Sequence, residues 1–211
     1  MKSEPEKFQS QSLSAPVIAA VVLAAGESSR MGADKPLLMY RGQTFLENII
    51  AALHDAGIVR VAVVLGHHAE LIEQSIDLSS VEVVVHQDYR QGQTSSLQAG
   101  LRVLARNEPD GVVLCLVDHP AISAETVHEL IQRFESTGKA IVIPQLNGKH
   151  GHPVLVGREV FNEIAALAPD QGADIVIHRY RPQTGFVEVS DPGILIDVDD
   201  PESYLKLATQ K

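Results

Sequence analysis

The chain has no tryptophan, one cysteine and only 4% aromatic residues among 211. With so few rings, its core must be packed from Val, Leu, Ile and Ala. The lone Cys115 can close no internal disulfide and can build no zinc cluster of thiolates. A free thiol fits a reducing, cytoplasmic setting. No apolar run approaches the roughly 20 residues needed for a helix to span a bilayer. Basic residues are scarce as well: 17 Lys+Arg against 27 Asp+Glu give a formal charge of −10. That sign argues against a general partner of nucleic acid or anionic membrane, while leaving room for a local basic pocket around a phosphorylated small molecule.

What is present is ordinary globular chemistry, 45% hydrophobic and 21% charged, at a length that suits one domain. Residues 1–16 are polar, carry both signs of charge and lack an apolar h-region, so they read as a flexible N-terminal tail rather than a signal peptide. Residues 17–211 are then a single domain. Val17 to Leu23 is a continuous apolar run, the pattern of a strand buried on both faces. Further strands are expected at Arg60–Leu65, Val81–Val85, Gly111–Val117, Ala140–Ile143, Pro153–Val156 and Gly185–Val189. Between them lie helical patterns. One opens at Thr44 with Glu47 in a capping box and stops at Gly57, and others cover Leu71–Ile72, Thr94–Ala105, Ser123–Phe134, Val160–Leu167 and Ala173–His178. A closing helix starts at Pro201. This alternation predicts an α/β fold, a Rossmann-like, doubly wound and mostly parallel sheet, with ligands beyond the carboxyl ends of its strands.

The loop after the first strand runs from Leu23 through Ala24, Ala25, Gly26, Ser28, Arg30 and Gly32 to Lys35. Its glycines allow close backbone approach to a phosphate, and Arg30 and Lys35 add a fork and a point charge. It is neither a Walker A loop nor a Gly-x-Gly-x-x-Gly dinucleotide fingerprint. Asp118 ends the fourth strand, where a carboxylate can hold Mg²⁺, or can simply begin a turn. Asp197, Asp199 and Asp200 cluster before Pro201, with Asp200 placed as a helix N-cap. Thr94, beside Gln93, Ser95 and Ser96, can cap its helix. His86, His119, His150 and His152 lack the spacing of a zinc helix motif, and no Gly-x-Ser-x-Gly elbow supports a hydrolase.

The loop as a whole resembles the signature of the MobA-like nucleotidyltransferases, Leu-Ala-Ala-Gly-x-Ser-x-Arg-Met-Gly-x-x-Lys. Gly92-Gln93-Thr94-Ser95-Ser96-Leu97, Val117-Asp118-His119-Pro120, Gly151-His152-Pro153-Val154-Leu155 and Asp197-Val198-Asp199-Asp200-Pro201-Glu202 resemble later motifs, in order, across residues 17–208. His119 stands where the family usually has Gln or Met. The molybdenum cofactor cytidylyltransferases are the most similar branch, on the Ala24-Ala25-Gly26 segment. The resemblance implies a nucleotide-diphospho-sugar transferase-like fold and Mg²⁺-dependent transfer of CMP from CTP to molybdopterin, with release of pyrophosphate. It implies nucleotide contacts from Leu23, Ala24, Ala25, Gly26, Ser28, Arg30, Gly32 and Lys35, with Arg30 and Lys35 on the triphosphate. It places base and ribose contacts at Gln93, Ser95 and Ser96, and acceptor contacts at Gly151, His152 and Pro153. Asp118 and Asp199 become metal ligands, with Asp197 the alternative second ligand. Arg30, Lys35 and Asp118 carry catalysis, and a molybdenum hydroxylase is the implied recipient. Two alternatives stand beside this: transfer to a sugar phosphate or other phosphorylated acceptor on the same fold, and a non-catalytic protein that binds and delivers a nucleotide or cofactor.

Overall fold

The computed structural model describes residues 15–168 and 171–209; the tail expected over residues 1–16 therefore lies almost wholly outside the described residues. In chain order the elements are β1 (Ile18–Ala24), β2 (Met39–Tyr40), β3 (Gln43–Thr44), α1 (Phe45–Asp55), β4 (Arg60–Leu65), α2 (Ala69–Ser75), β5 (Glu82–Val85), α3 (Gln93–Leu104), β6 (Gly111–Leu116) and α4 (Ala124–Thr137). The C-terminal part adds β7 (Ile141–Leu146), β8 (Lys149–His150), β9 (Val154–Gly157), α5 (Arg158–Ala165), α6 (Asp174–Arg179), β10 (Thr184–Glu188) and α7 (Pro201–Thr209).

The sheet has the order β10-β7-β9-β6-β1-β4-β5, with β8 on β7. β1 pairs in parallel with both β4 and β6, so the strand order reverses at β1. Alternate residues of β1 face opposite sides. Ala20, Val22 and Ala24 pack with Leu46, Ile49 and Leu53 of α1 and Val127 and Leu130 of α4. Ala19 and Val21 pack with Leu97, Leu101 and Leu104 of α3 and with α5 and α6. Both faces are covered, which is why the strand reads as unbroken apolar sequence. Cys115 is buried in the first of these layers.

Local signals behave as their chemistry requires. Thr44 Oγ1 accepts from Glu47 N at 3.2 Å and Glu47 Oε2 accepts from Thr44 N at 2.8 Å, completing the capping box. Ser123 Oγ accepts from Thr126 N at the start of α4. Thr94 does not cap α3. The cap falls two residues earlier, on Gly92 with φ +114°, and Thr94 Oγ1 instead accepts from Ala173 N at 3.1 Å.

The sheet is mostly parallel, but β9 runs antiparallel to both β6 and β7. A two-residue Asn147-Gly148 turn, with φ +51° and +75°, folds β8 back on β7 and redirects the chain. Both residues have the positive φ that such a hairpin turn demands. β5 closes the opposite edge with Val85 half exposed, so the third strand is not buried on both faces.

Candidate functional site

A third apolar cluster explains how distant segments meet. Met31 of the loop after β1 packs with Tyr40, Phe45, Val198 and Leu207, tying the C-terminal segment to that loop. Val198 N also donates to the Asp118 carbonyl at 2.9 Å, which fixes Asp199 beside Asp118. The loop after β1 folds on itself: Ser28 O accepts from Met31 N and Gly32 N, and Ser28 Oγ accepts from Lys35 N.

These contacts bring four charged side chains together. Lys35 Nζ lies 2.7 Å from Asp199 Oδ1 and 3.8 Å from Asp118 Oδ2, and Arg30 Nη2 donates to Asp199 Oδ2 at 2.6 Å. Lys35 is only 8% exposed, so it is a buried ion-pair partner and not a solvated loop lysine that stability would ignore. Its burial follows from the short 3₁₀ turn Lys35–Leu37, which carries the side chain inward. Asp199 is held below the usual carboxylate range, chiefly by its hydrogen bond to Lys35 and then by Arg30. Burial pushes Asp118 above that range, against the pull of Lys35, and burial likewise raises Asp197. His119 and His152 are held below their ordinary value by burial, His152 down to about 4.

The group opens into a cleft of about 310 Å³ at the carboxyl ends of β1 and β6. Of the residues expected there, Leu23, Ala25, Gly26, Ser28, Arg30, Lys35, Gln93, Ser96, Asp118 and Asp199 line it. Ala24 points into the core instead, and Gly32 sits in the turn closed by Ser28 O. Ser95 is buried, donating to Gly92 O and meeting His86 Nε2 at 3.1 Å. Tyr89, Gly92 and Leu116 also line the cleft; Gly92 belongs to a motif read in the sequence, whereas Tyr89 and Leu116 were not among the candidate residues. The nearest signal was Gly92, whose positive φ ends a tight turn immediately before α3.

A second cavity of about 630 Å³ adjoins the first and shares Leu23, Gly92, Gln93 and Leu116 with it. Its other walls include Ile143, His152, Val154, Asp174 and Ile177. His152 is thus on this wall. Gly151 is packed under it: an added Cβ would lie 2.2 Å from Ile194 O. The backbone there has no room for a side chain. Pro153 is buried.

Asp200 stands apart from the charged group. Its Oδ1 accepts from Ser203 N at 2.8 Å, an N-cap of α7. Asparagine caps about as well as aspartate, so Asp200→Asn is expected to change turnover by less than about twofold. A turnover assay beside a thermal melt checks this, and a large loss would give Asp200 a role in the site.

The carboxylates of Asp118 and Asp199, set with Arg30 and Lys35 at one cleft, fit a hard divalent cation, which binds oxygen donors. A three-layer sheet with such a cleft at its switch point defines a nucleotide-binding α/β protein. The match of residues 20–184 to the MobA-like NTP transferase domain model places the chain in that family of nucleotidyltransferases. Nicotine blue oxidoreductase of Paenarthrobacter nicotinovorans is 28% identical over 199 residues, covering 91% of this chain and 97% of that protein. Molybdenum cofactor cytidylyltransferase of Escherichia coli is 25% identical, covering 88% and 92%. Among solved structures, a Mycobacterium tuberculosis H37Rv protein superimposes with a TM-score of 0.77 at 31% identity, covering 94% of this chain and 100% of that one. That protein has also been crystallised in complex with manganese. None of the described helices is long and apolar enough to cross a membrane.

Proposed function

We propose that this chain transfers CMP from CTP to the terminal phosphate of molybdopterin and releases pyrophosphate. The observation that carries the reading is the pair of adjoining cavities. One is lined by charged side chains, the other is larger and more apolar, and they share Leu23 and Gln93. Such a pair suits two substrates meeting at one reacting atom. The similarity to a molybdenum cofactor cytidylyltransferase supports the choice of nucleotide and acceptor.

No protein base is required, because an acceptor phosphate monoester, with a second pKa of about 6, is already largely dianionic at pH 7. An oxygen of that monoester attacks the α-phosphorus of CTP, and the bond to the pyrophosphate oxygen breaks. The chain supplies alignment and charge. Arg30 and Lys35 are poised on Asp199 and transfer to the triphosphate as it arrives. Gln93 and Ser96, on the first turn of α3, face the nucleoside, and His152 faces the acceptor. Asp118 and Asp199 are the residues to hold Mg²⁺, which when bound neutralises developing charge on the phosphates.

The test is pyrophosphate release with each of the four NTPs and Mg²⁺, with molybdopterin or a panel of sugar phosphates as acceptor. Fastest release is expected from CTP with molybdopterin. Faster release with GTP would overturn the nucleotide assignment, and faster release with a sugar phosphate would overturn the acceptor. Nucleotide binding without pyrophosphate release under any acceptor would make the chain a delivery protein.

A further inference from the structure

The two oxygens of Asp118 face different surroundings. Oδ2 is turned to Lys35 on the phosphate side. Oδ1 is buried with no hydrogen-bond partner, and it lies 3.9 Å from His119 Nε2. That distance is too long for a hydrogen bond. It is, however, within the span of two donors on one first-row cation, since bonds of about 2.0–2.2 Å separate them by at most about 4.4 Å. Asp197 brings a third donor: one atom from each of Asp118, His119 and Asp197 lies within 4.8 Å of the others, a few tenths of an ångström from the span of one ion, and Asp197 is exposed and free to close it. His119 is 8% exposed. Its Nδ1 is also buried without a partner, and its ring lies 4.7 Å from that of His152 between centroids. A buried imidazole held in place by a neighbouring ring, facing an orphaned carboxylate oxygen, is a donor arrangement that hydrogen bonding leaves unused.

We propose that Asp118 Oδ1, His119 and Asp197 form a second cation site, on the opposite side of Asp118 from Lys35, that takes a first-row transition-metal dication rather than Mg²⁺. The donor set decides the ion class. Imidazole with carboxylate suits Mn²⁺, Co²⁺ and Zn²⁺, whereas Mg²⁺ favours oxygen donors and retained waters. Asp118 then bridges two positions, one facing the phosphates and one facing His119. The sequence offered Asp197 as an alternative metal ligand beside Asp118 but did not join His119 to them, because Asp197 meets His119, 78 residues earlier, only through the fold.

The experiment is a Co²⁺ titration of the EDTA-treated full chain without nucleotide, read by the visible absorption of the bound ion. One saturable equivalent is expected, displaced by Zn²⁺ or Mn²⁺ but retained in about a hundredfold excess of Mg²⁺. His119→Gln and Asp197→Asn should each weaken binding by about tenfold or more, while Asp199→Asn should leave it within about threefold. Asp197 is exposed, so its substitution keeps the test independent of any folding defect in the His119 variant, and circular dichroism of each variant verifies the fold. Asp34, His67 and His68 form the other such cluster among the described residues, so His68→Gln is the control. The proposal is overturned by a wild type with no saturable Co²⁺ spectrum, by equal displacement with Mg²⁺, by binding that survives Asp197→Asn, or by a signal lost in His68→Gln instead. Because no nucleotide is present, failure here leaves the transferase reading standing, and failure of that reading leaves this one standing.

Discussion

Lys35→Ala should lower turnover by roughly 10²-fold or more, the scale of removing one charge-stabilising donor from a reacting centre, and should also lower the melting temperature by several degrees. The two effects have one origin. Lys35 is buried between Asp199 at 2.7 Å and Asp118 at 3.8 Å. With it gone, Asp199 keeps only the exposed Arg30, and Asp118 is left as a buried carboxylate without its nearest cation. Stranding a partially buried charge costs about 1–3 kcal/mol, and for a domain of this size each kcal/mol shifts the midpoint by about 2–4 °C. Turnover measured well below the melting temperature separates catalysis from unfolding. Wild-type turnover in that variant would remove Lys35 from the mechanism. An unchanged melt with the turnover loss intact would show that the ion pair contributes nothing to folding.

That second effect was not legible in the sequence, and the reason is physical. Residue type and position marked the loop after β1 as a phosphate site. Whether its lysine is solvated depends on where the chain's last forty residues return. Val198 and Leu207 seal the loop through Met31, and Val198 N anchors the return to Asp118 O. Such contacts have no local signature. The parallel strands were legible because β1, β4 and β6 are covered on both faces and so carry unbroken apolar runs. The strand expected at Pro153–Val156 is β9, but its antiparallel direction was not read, although the Asn147-Gly148 hairpin signal that folds β8 back on β7 stood in the sequence. Thr94 shows the opposite case. A good capping residue was present, but Gly92 took the cap and Thr94 was recruited to Ala173 by tertiary contact.

Under the proposed triphosphate contacts, the charged group would keep the site ready before substrate arrives. Arg30 and Lys35 each bond one oxygen of Asp199, so the two cations are held at the cleft by a carboxylate instead of being left to solvent. A triphosphate has to compete with that carboxylate for both. In that proposal the exchange would keep the cations oriented and free Asp199 once the nucleotide is in place. Removing the Asp199 charge therefore affects two things at once, cation positioning and oxygen donors for a metal. Asp118, which makes no direct hydrogen bond to either cation, can be changed without releasing Arg30 or Lys35 from Asp199.

Asp118→Asn should reduce turnover by roughly 10²-fold or more at neutral pH while the protein melts no lower than wild type. Asparagine keeps the shape and one oxygen donor, but a hard dication loses the negative charge that holds it. The stability half follows from the sign of the shift. Burial raises the Asp118 carboxyl above its unfolded value, so the folded chain binds this proton more tightly than the unfolded chain does. Ionising Asp118 therefore costs stability, a cost absent at low pH and complete once the pH exceeds the folded value. Asn has no proton to lose and is relieved of that cost at pH 7. The same shift shapes the metal dependence: at limiting Mg²⁺, wild-type turnover should fall as pH drops toward the raised metal-free value, because the proton competes with the cation for the carboxylate. Asp118→Asn should lack that acid limb and show little added response to Mg²⁺. Turnover against pH and against Mg²⁺ concentration, run beside thermal melts of both proteins, decides the matter. A variant with wild-type turnover sinks the metal role of Asp118, and a variant that melts well below wild type shows that its carboxylate stabilises the fold instead of straining it.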